Sequence, residues 1–225
     1  MSDDNGSVAE RTALLLVDIQ YDFLPGGSLA VERGDEILAP IARLLEENRF
    51  DVVVATQDWH PPGHASFASS HPGHAVMELV EMHGHPQRLW PDHCVAGTRG
   101  AELHEEIPWE HVAAVIRKGS DPLSDSYSGF RNNWNAAGDR PTTGLAGYLR
   151  ERRVGSVYLC GLARDYCVKW SAEDAVAAGF RAVFLWDLTR SVDPSTDSAV
   201  RRELEEAGVE LVDSTTLDRA TTGSR

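Results

Sequence analysis

Cysteine is scarce: Cys94, Cys160 and Cys167 are the only three in 225 residues. Three thiols give no disulfide framework, which agrees with a reducing compartment. Positive charge is short as well, with 21 Lys and Arg against 35 Asp and Glu, a formal net charge of −14. Nucleic acid and anionic membrane both require clustered Lys and Arg, so neither is expected as a partner. No stretch approaches the roughly 20 consecutive apolar residues of a membrane span. The opening stretch Met-Ser-Asp-Asp-Asn-Gly-Ser, Met1 to Ser7, is polar and acidic and has no apolar core of a signal peptide. A soluble, cytoplasmic protein is expected, either alone or as a homo-oligomer. Internal repeats and low-complexity tracts are missing too, so nothing argues against a single domain over residues 1–225 with flexible termini.

What the chain does have is an alternation of short aliphatic runs and helical patterns. Runs at Ala13–Val17, Val52–Ala55, Val112–Ile116, Val154–Leu159, Ala182–Leu185 and Val209–Val212 read as strands. Helical spacing spans Asp35–Asn48, Thr143–Arg152, Cys167–Ala178 and Pro194–Ala207, the last opened by Asp193-Pro194 and closed by Gly208. This order predicts an α/β fold: a Rossmann-like, doubly wound, mainly parallel six-stranded sheet with helices on both faces. The exception is residues 57–110, rich in proline and glycine, with one short embedded element expected at Gly100–Glu106. All nine histidines lie between His60 and His111. A loop of that length is uncommon without a function, and the histidines point to metal binding.

In an open parallel sheet the ligand site lies beyond the carboxyl ends of the strands. Asp18, Asp58 with His60, Lys118 and Cys167 each follow a predicted strand, which brings all of them to one edge. Cys167 is placed where a helix begins, and a helix N-terminus favours the thiolate. Asp18 is a candidate general base for that thiol, and Lys118 a candidate cation to hold the thiolate. The simpler alternative is a structural Asp18–Lys118 ion pair. The turn after Gly161 can aim the N–H groups of Ala163 and Cys167 at an oxyanion. Asp58 and His60, at i and i+2 of an extended segment, would face the same way, with His93 as third metal ligand and His64 as a candidate fourth. One carboxylate with two or three imidazoles suits a single divalent ion: zinc, iron or manganese. His71, His74, His83 and His85 are expected to face solvent.

Six motifs in order resemble the nicotinamidase (pyrazinamidase-type) branch of the isochorismatase-like cysteine hydrolase superfamily. They are Leu-Val-Asp18-Ile-Gln-Tyr-Asp-Phe, Thr-Gln-Asp58-Trp-His60-Pro, Leu-Trp90-Pro-Asp-His93-Cys-Val, Arg-Lys118-Gly, Asp-Ser-Tyr127-Ser-Gly-Phe and Gly-Leu-Ala163-Arg-Asp-Tyr-Cys167-Val. The resemblance implies an isochorismatase-like hydrolase domain and hydrolysis of nicotinamide, or pyrazinamide, to the acid and ammonia. It implies Asp18, Lys118 and Cys167 as catalytic triad, and Asp58, His60 and His93 as metal ligands, with His64 a ligand in some members. It further implies a cis peptide before Ala163 and a pyridine pocket walled by Phe23, Trp90, Tyr127 and Tyr166. The visible departure is Arg164, where the family commonly has threonine; a cation beside the nucleophile turn is expected to alter local pKa values and substrate range. The rival readings are a carbamoyl or ureido amidohydrolase, a metal-activated water with Cys167 as bystander, and a non-catalytic metal-binding module on the same fold.

Overall fold

The computed structural model describes residues 10–219, so the expectation of flexible termini lies outside the described residues. Chain order runs β1 (Arg11–Val17), α1 (Leu38–Glu46), β2 (Val52–Asp58), β3 (Leu79–Met82), β4 (His85–Arg88), β5 (Ala114–Lys118), α2 (Leu145–Glu151), β6 (Val154–Leu162), α3 (Lys169–Ala177), β7 (Arg181–Arg190), α4 (Asp197–Glu206) and β8 (Glu210–Val212). The main sheet has the order β5-β2-β1-β6-β7-β8, and every neighbouring pair is parallel. Alternation along β1 divides the core. Leu14 and Leu16 pack with Ile41 and Leu45 of α1, whereas Ala13, Leu15 and Val17 pack with Leu149 of α2, Ala172 of α3 and Leu204 of α4. The sheet is thus covered on both faces, as parallel strands buried on each side require. Among the described residues no helix is long and apolar enough to cross a membrane.

The topology fixes where a ligand belongs. From β1 the chain winds outward through β2 to β5, returns to β6 beside β1, and then winds the other way to β8. The reversal falls between β1 and β6, and the crevice beyond their carboxyl ends is the switch point where such sheets bind ligands. Asp18 ends β1 there, in a left-handed conformation with φ 46°. Gly161, near the end of β6, is required by close approach: at its φ of +116° a Cβ would lie 2.1 Å from the Val17 carbonyl oxygen.

Several element bounds differ from the sequence expectation for identifiable reasons. β2 runs on to Asp58 because its polar end is buried and hydrogen-bonded. β7 runs on to Arg190, but its pairing with β6 slips between Leu159–Phe184 and Gly161–Thr189. The predicted helix from Cys167 begins instead as a π-turn over Arg164–Val168, in which the Ala163 carbonyl accepts from Val168 N–H at 3.0 Å, and α3 follows at Lys169. Such wide turns recur at functional sites. Within the histidine-rich stretch the expected Gly100–Glu106 element is only a short 3₁₀ turn at Arg99–Ala101. The hairpin of β3 and β4, closed by His83 and Gly84, both with positive φ, was not foreseen.

Candidate active site

Lys118 organises the crevice. At the end of the edge strand β5 it is 1% exposed, and its ammonium lies 3.0 Å from Asp18 Oδ2 and 3.0 Å from Asp58 Oδ1. It also donates to the Ser126 carbonyl at 2.8 Å and approaches Cys167 Sγ at 3.5 Å. Burial alone would discharge this amine, but the two carboxylates hold its pKa well above the ordinary lysine value. Three residues from β1, β5 and the turn after β6 are therefore brought together as the sequence predicts.

The two carboxylates differ because their surroundings differ. Burial pushes the Asp58 carboxyl up, but His60 and Lys118 together hold it well below the usual carboxylate range. Asp18 has fewer compensating partners: Oδ1 accepts from Thr56 Oγ1 at 2.6 Å, and Oδ2 faces Lys118 without a donor in hydrogen-bond geometry. Its pKa is raised, by burial first, with Lys118 opposing and Asp58 adding to the rise. Asp18 is thus the carboxylate better placed to take up a proton.

Cys167 departs from the expected place at the start of a helix. It is not on the first turn of α3 but inside the π-turn. Burial pushes its thiol well above the ordinary value; Lys118 lowers it, whereas Asp18 and Asp58 raise it. A thiol pushed up in this way, next to a carboxylate, calls for a base when the sulfur reacts. The peptide between Leu162 and Ala163 is cis, as the resemblance implies.

The metal-type cluster sits directly against this group. Asp58, His60 and His93 offer ligand atoms that all lie within 4.8 Å of one another, the one such cluster among the described residues. His60 Nδ1 meets the Gly119 carbonyl at 2.9 Å and His93 Nδ1 the Pro91 carbonyl at 2.8 Å. Those contacts place the N–H on Nδ1 of each ring and leave both Nε2 lone pairs toward Asp58 Oδ2, at 3.0 and 3.4 Å. One oxygen and two such nitrogens fit a divalent ion. Gly119, at φ +67°, is required here, since a Cβ would stand 2.5 Å from His60 Cε1. His64 lies outside this group of ligand atoms: its Nδ1 accepts from Ser66 N–H at 3.1 Å, and its Nε2 contacts the Asp121 carbonyl at 2.7 Å.

Cys167, Ala163, Asp58 and His93 open into one cavity together with Phe23, Trp90, Tyr127 and Tyr166. The rings brace one another, Trp90 against Tyr166 at 4.7 Å and Tyr127 against Tyr166 at 5.5 Å, and Trp90 Nε1 donates to the Tyr127 hydroxyl at 3.2 Å. Arg164 is elsewhere. Its guanidinium turns from the cavity to Thr189 Oγ1 at 2.9 Å, the carbonyls of Trp186 at 3.0 Å and Thr189 at 2.7 Å, and Asp197 at 2.5 Å. The expected cation beside the thiol is therefore absorbed by β7 and α4.

Sequence reasoning missed three supporting residues. Gln20 clamps the end of β2, accepting from Asp58 N–H at 2.7 Å and donating to the Asp58 carbonyl at 2.8 Å. Thr56 holds Asp18 from both sides, through its hydroxyl and by accepting from Asp18 N–H at 3.2 Å. Asp125 lines the cavity with Oδ1 4.0 Å from His60 Nε2. All three lie inside the quoted motifs, but only packing reveals what their side chains reach.

Comparison with known proteins gives the chain a family. The isochorismatase domain model matches residues 12–216. A nicotinamidase of Acinetobacter baylyi is 45% identical over 186 residues, 82% of this chain and 84% of that protein. Among solved structures, an Acinetobacter baumanii nicotinamidase/pyrazinamidase superposes with TM-score 0.86 at 40% identity, covering 92% of this chain and 98% of the other. The yeast nicotinamidase bound to the inhibitor nicotinaldehyde gives TM-score 0.83 at 30% identity, covering 90% and 99%. A pyrazinamidase of Pyrococcus horikoshii in complex with zinc gives TM-score 0.72 at 33% identity, covering 90% and 99%.

Proposed function

The chain belongs to the isochorismatase family, and on that premise we propose that it hydrolyses nicotinamide to nicotinate and ammonia through a thioester on Cys167. The observation that carries the reading is the position of Lys118 Nζ, 3.0 Å from Asp18 and 3.5 Å from Cys167 Sγ, beside the cluster of Asp58, His60 and His93, of which Asp58 and His93 line the same cavity as Cys167. The related nicotinamidases support the substrate.

Asp18 takes the thiol proton as the sulfur forms its bond to the amide carbon and the carbonyl electron pair moves onto oxygen. The N–H groups of Ala163 and Cys167 receive that oxyanion. Lys118 stays charged throughout and stabilises the sulfur while its negative charge develops. The C–N bond then breaks, the nitrogen takes the proton from Asp18, and ammonia leaves a nicotinoyl thioester. Asp18, again ionised, removes a proton from water as it adds to the thioester. Collapse releases nicotinate, and the proton returns from Asp18 to sulfur. Phe23, Trp90, Tyr127 and Tyr166 hold the ring and exclude bulk water.

Asp58, His60 and His93 would hold one divalent ion, with zinc supported by the zinc-bound neighbour and iron or manganese also suiting these donors. When bound, that ion supplies a Lewis-acid ligand for the ring nitrogen, which orients the ring. Pyrazinamide carries a ring nitrogen in the same relation to its carboxamide and is expected as a second substrate.

The test is ammonia release from a panel of amides. Nicotinamide and pyrazinamide should be fast, benzamide slow for want of a ring nitrogen, and ureido or carbamoyl amides slowest. A ureido amide hydrolysed faster than nicotinamide would overturn the assignment in favour of the carbamoyl reading.

A further inference from the structure

Tyr127 and Asp125 are walls of two cavities. One contains Cys167; the other, of about 300 Å³, does not. The second is built from separate segments: His85 on β4, Tyr127 and Trp134 on the loop before α2, and Trp170 on α3. Its rings stand at angles to one another, Tyr127 against Trp170 at 5.3 Å and 74°, and His85 against Trp134 at 4.3 Å and 45°. Among the described residues Asp125, 3% exposed, is the one carboxylate in its lining, accepting from Gln87 Nε2 at 2.7 Å and Ser126 N–H at 2.8 Å, and neither Lys nor Arg lines it. Aromatic rings around a buried carboxyl group attract a cation that is only weakly hydrated, because its loss of water costs little.

The two indoles already show this preference. The Arg140 guanidinium lies 5.0 Å from the Trp134 ring and 5.2 Å from the Trp170 ring without lining the cavity. Its own charge is matched by Asp174 through bonds of 3.0 and 2.8 Å, so it leaves little repulsion for a second cation. The hydroxyl of Tyr127 is occupied by Trp90 and Gln87, which leaves the ring itself as the contact.

We propose that this cavity is a second binding site, distinct from the catalytic one, for a small organic cation with a quaternary nitrogen on a flat ring, an N-alkylated pyridinium. Such a ligand has no nitrogen lone pair for the metal cluster. A form without an amide also gives Cys167 nothing to attack, so binding can be read apart from turnover.

N-methylpyridinium titrated into the metal-loaded enzyme, with toluene as its uncharged isostere, provides the test by calorimetry and tryptophan fluorescence. Saturable one-to-one binding is expected, at least about fivefold tighter than toluene. Trp134→Leu should weaken it by a similar factor while turnover persists, Trp134→Phe should weaken it less, and Cys167→Ala should bind as the wild type does. Any of four results overturns the proposal: no saturable binding, toluene binding as tightly, unchanged affinity in a folded Trp134→Leu protein, or complete competitive displacement by substrate with protection of Cys167 from alkylation. The readouts do not depend on hydrolysis, so they would stand even if the substrate assignment failed.

Discussion

Replacing Arg164 by threonine removes a guanidinium that is 6% exposed and joins the turn carrying Cys167 to two later elements. It donates to Thr189 Oγ1, to two carbonyls and to Asp197, and its plane lies 4.1 Å from the centre of the Trp186 ring. The two carbonyls keep other donors, Thr189 Oγ1 on one and Arg190 on the other, so neither is orphaned and each loss is near the ordinary net value of about 1 kcal/mol. Breaking a buried ion pair costs about 3–5 kcal/mol, but the Asp197 side chain is 32% exposed and keeps Ser191, which puts its share lower. Because these losses overlap, a total near 3 kcal/mol is expected, equivalent to about 6–12 °C in Tm for a chain of this size. Urea unfolding of the two proteins measures it. The same substitution should leave the pH profile of Cys167 alkylation in place, because the cation faces β7 and α4. A stability change under about 1 kcal/mol together with a displaced alkylation profile would refute the reasoning and restore Arg164 as a charge acting on the thiol.

Three further outcomes follow from the geometry. Lys118→Met removes the buried cation that lowers the Cys167 pKa, so iodoacetamide labelling of Cys167 should need higher pH; an unmoved profile would make Lys118 structural only. His60→Ala or His93→Ala should lose bound metal, measured by elemental analysis, and bind nicotinamide poorly, while Cys167 alkylation by a small electrophile without a ring nitrogen stays near the wild-type rate. The kcat/KM profile should rise with pH along an acid limb whose midpoint lies above 3.8, since burial raises the Asp18 pKa and the base works only when ionised. A limb at or below the ordinary aspartate value would remove Asp18 from that role.

The position of the reactive groups was legible because parallel strands are aliphatic until they leave the sheet. Asp18, Asp58 and Lys118 each end such a run, so one edge of the fold collects them. The strand order was not legible, since nothing local says that β6 returns beside β1. The β3–β4 hairpin was missed because Leu79–Met82 and His85–Arg88 lack clean alternation, and its turn uses His83-Gly84 in place of the more familiar Asn-Gly. Arg164 shows the limit most plainly. Its sequence neighbour two residues away is Tyr166, which lines the cavity, yet its own side chain points to β7, and no spacing rule distinguishes the two. His64 likewise matches a ligand pattern, and only packing shows that its two nitrogens contact Ser66 and Asp121.

The central claim is that Cys167 carries the acyl group, and rapid quenching in acid during nicotinamide turnover, followed by peptide mass spectrometry, tests it most directly. A nicotinoyl adduct should appear on the peptide containing Cys167 within the first turnover and vanish as substrate is exhausted, and Cys167→Ala should lose turnover by about 10⁴-fold or more. Substantial hydrolysis by the alanine variant, with no adduct on the wild-type cysteine, would contradict the account and leave metal-activated water as the nucleophile.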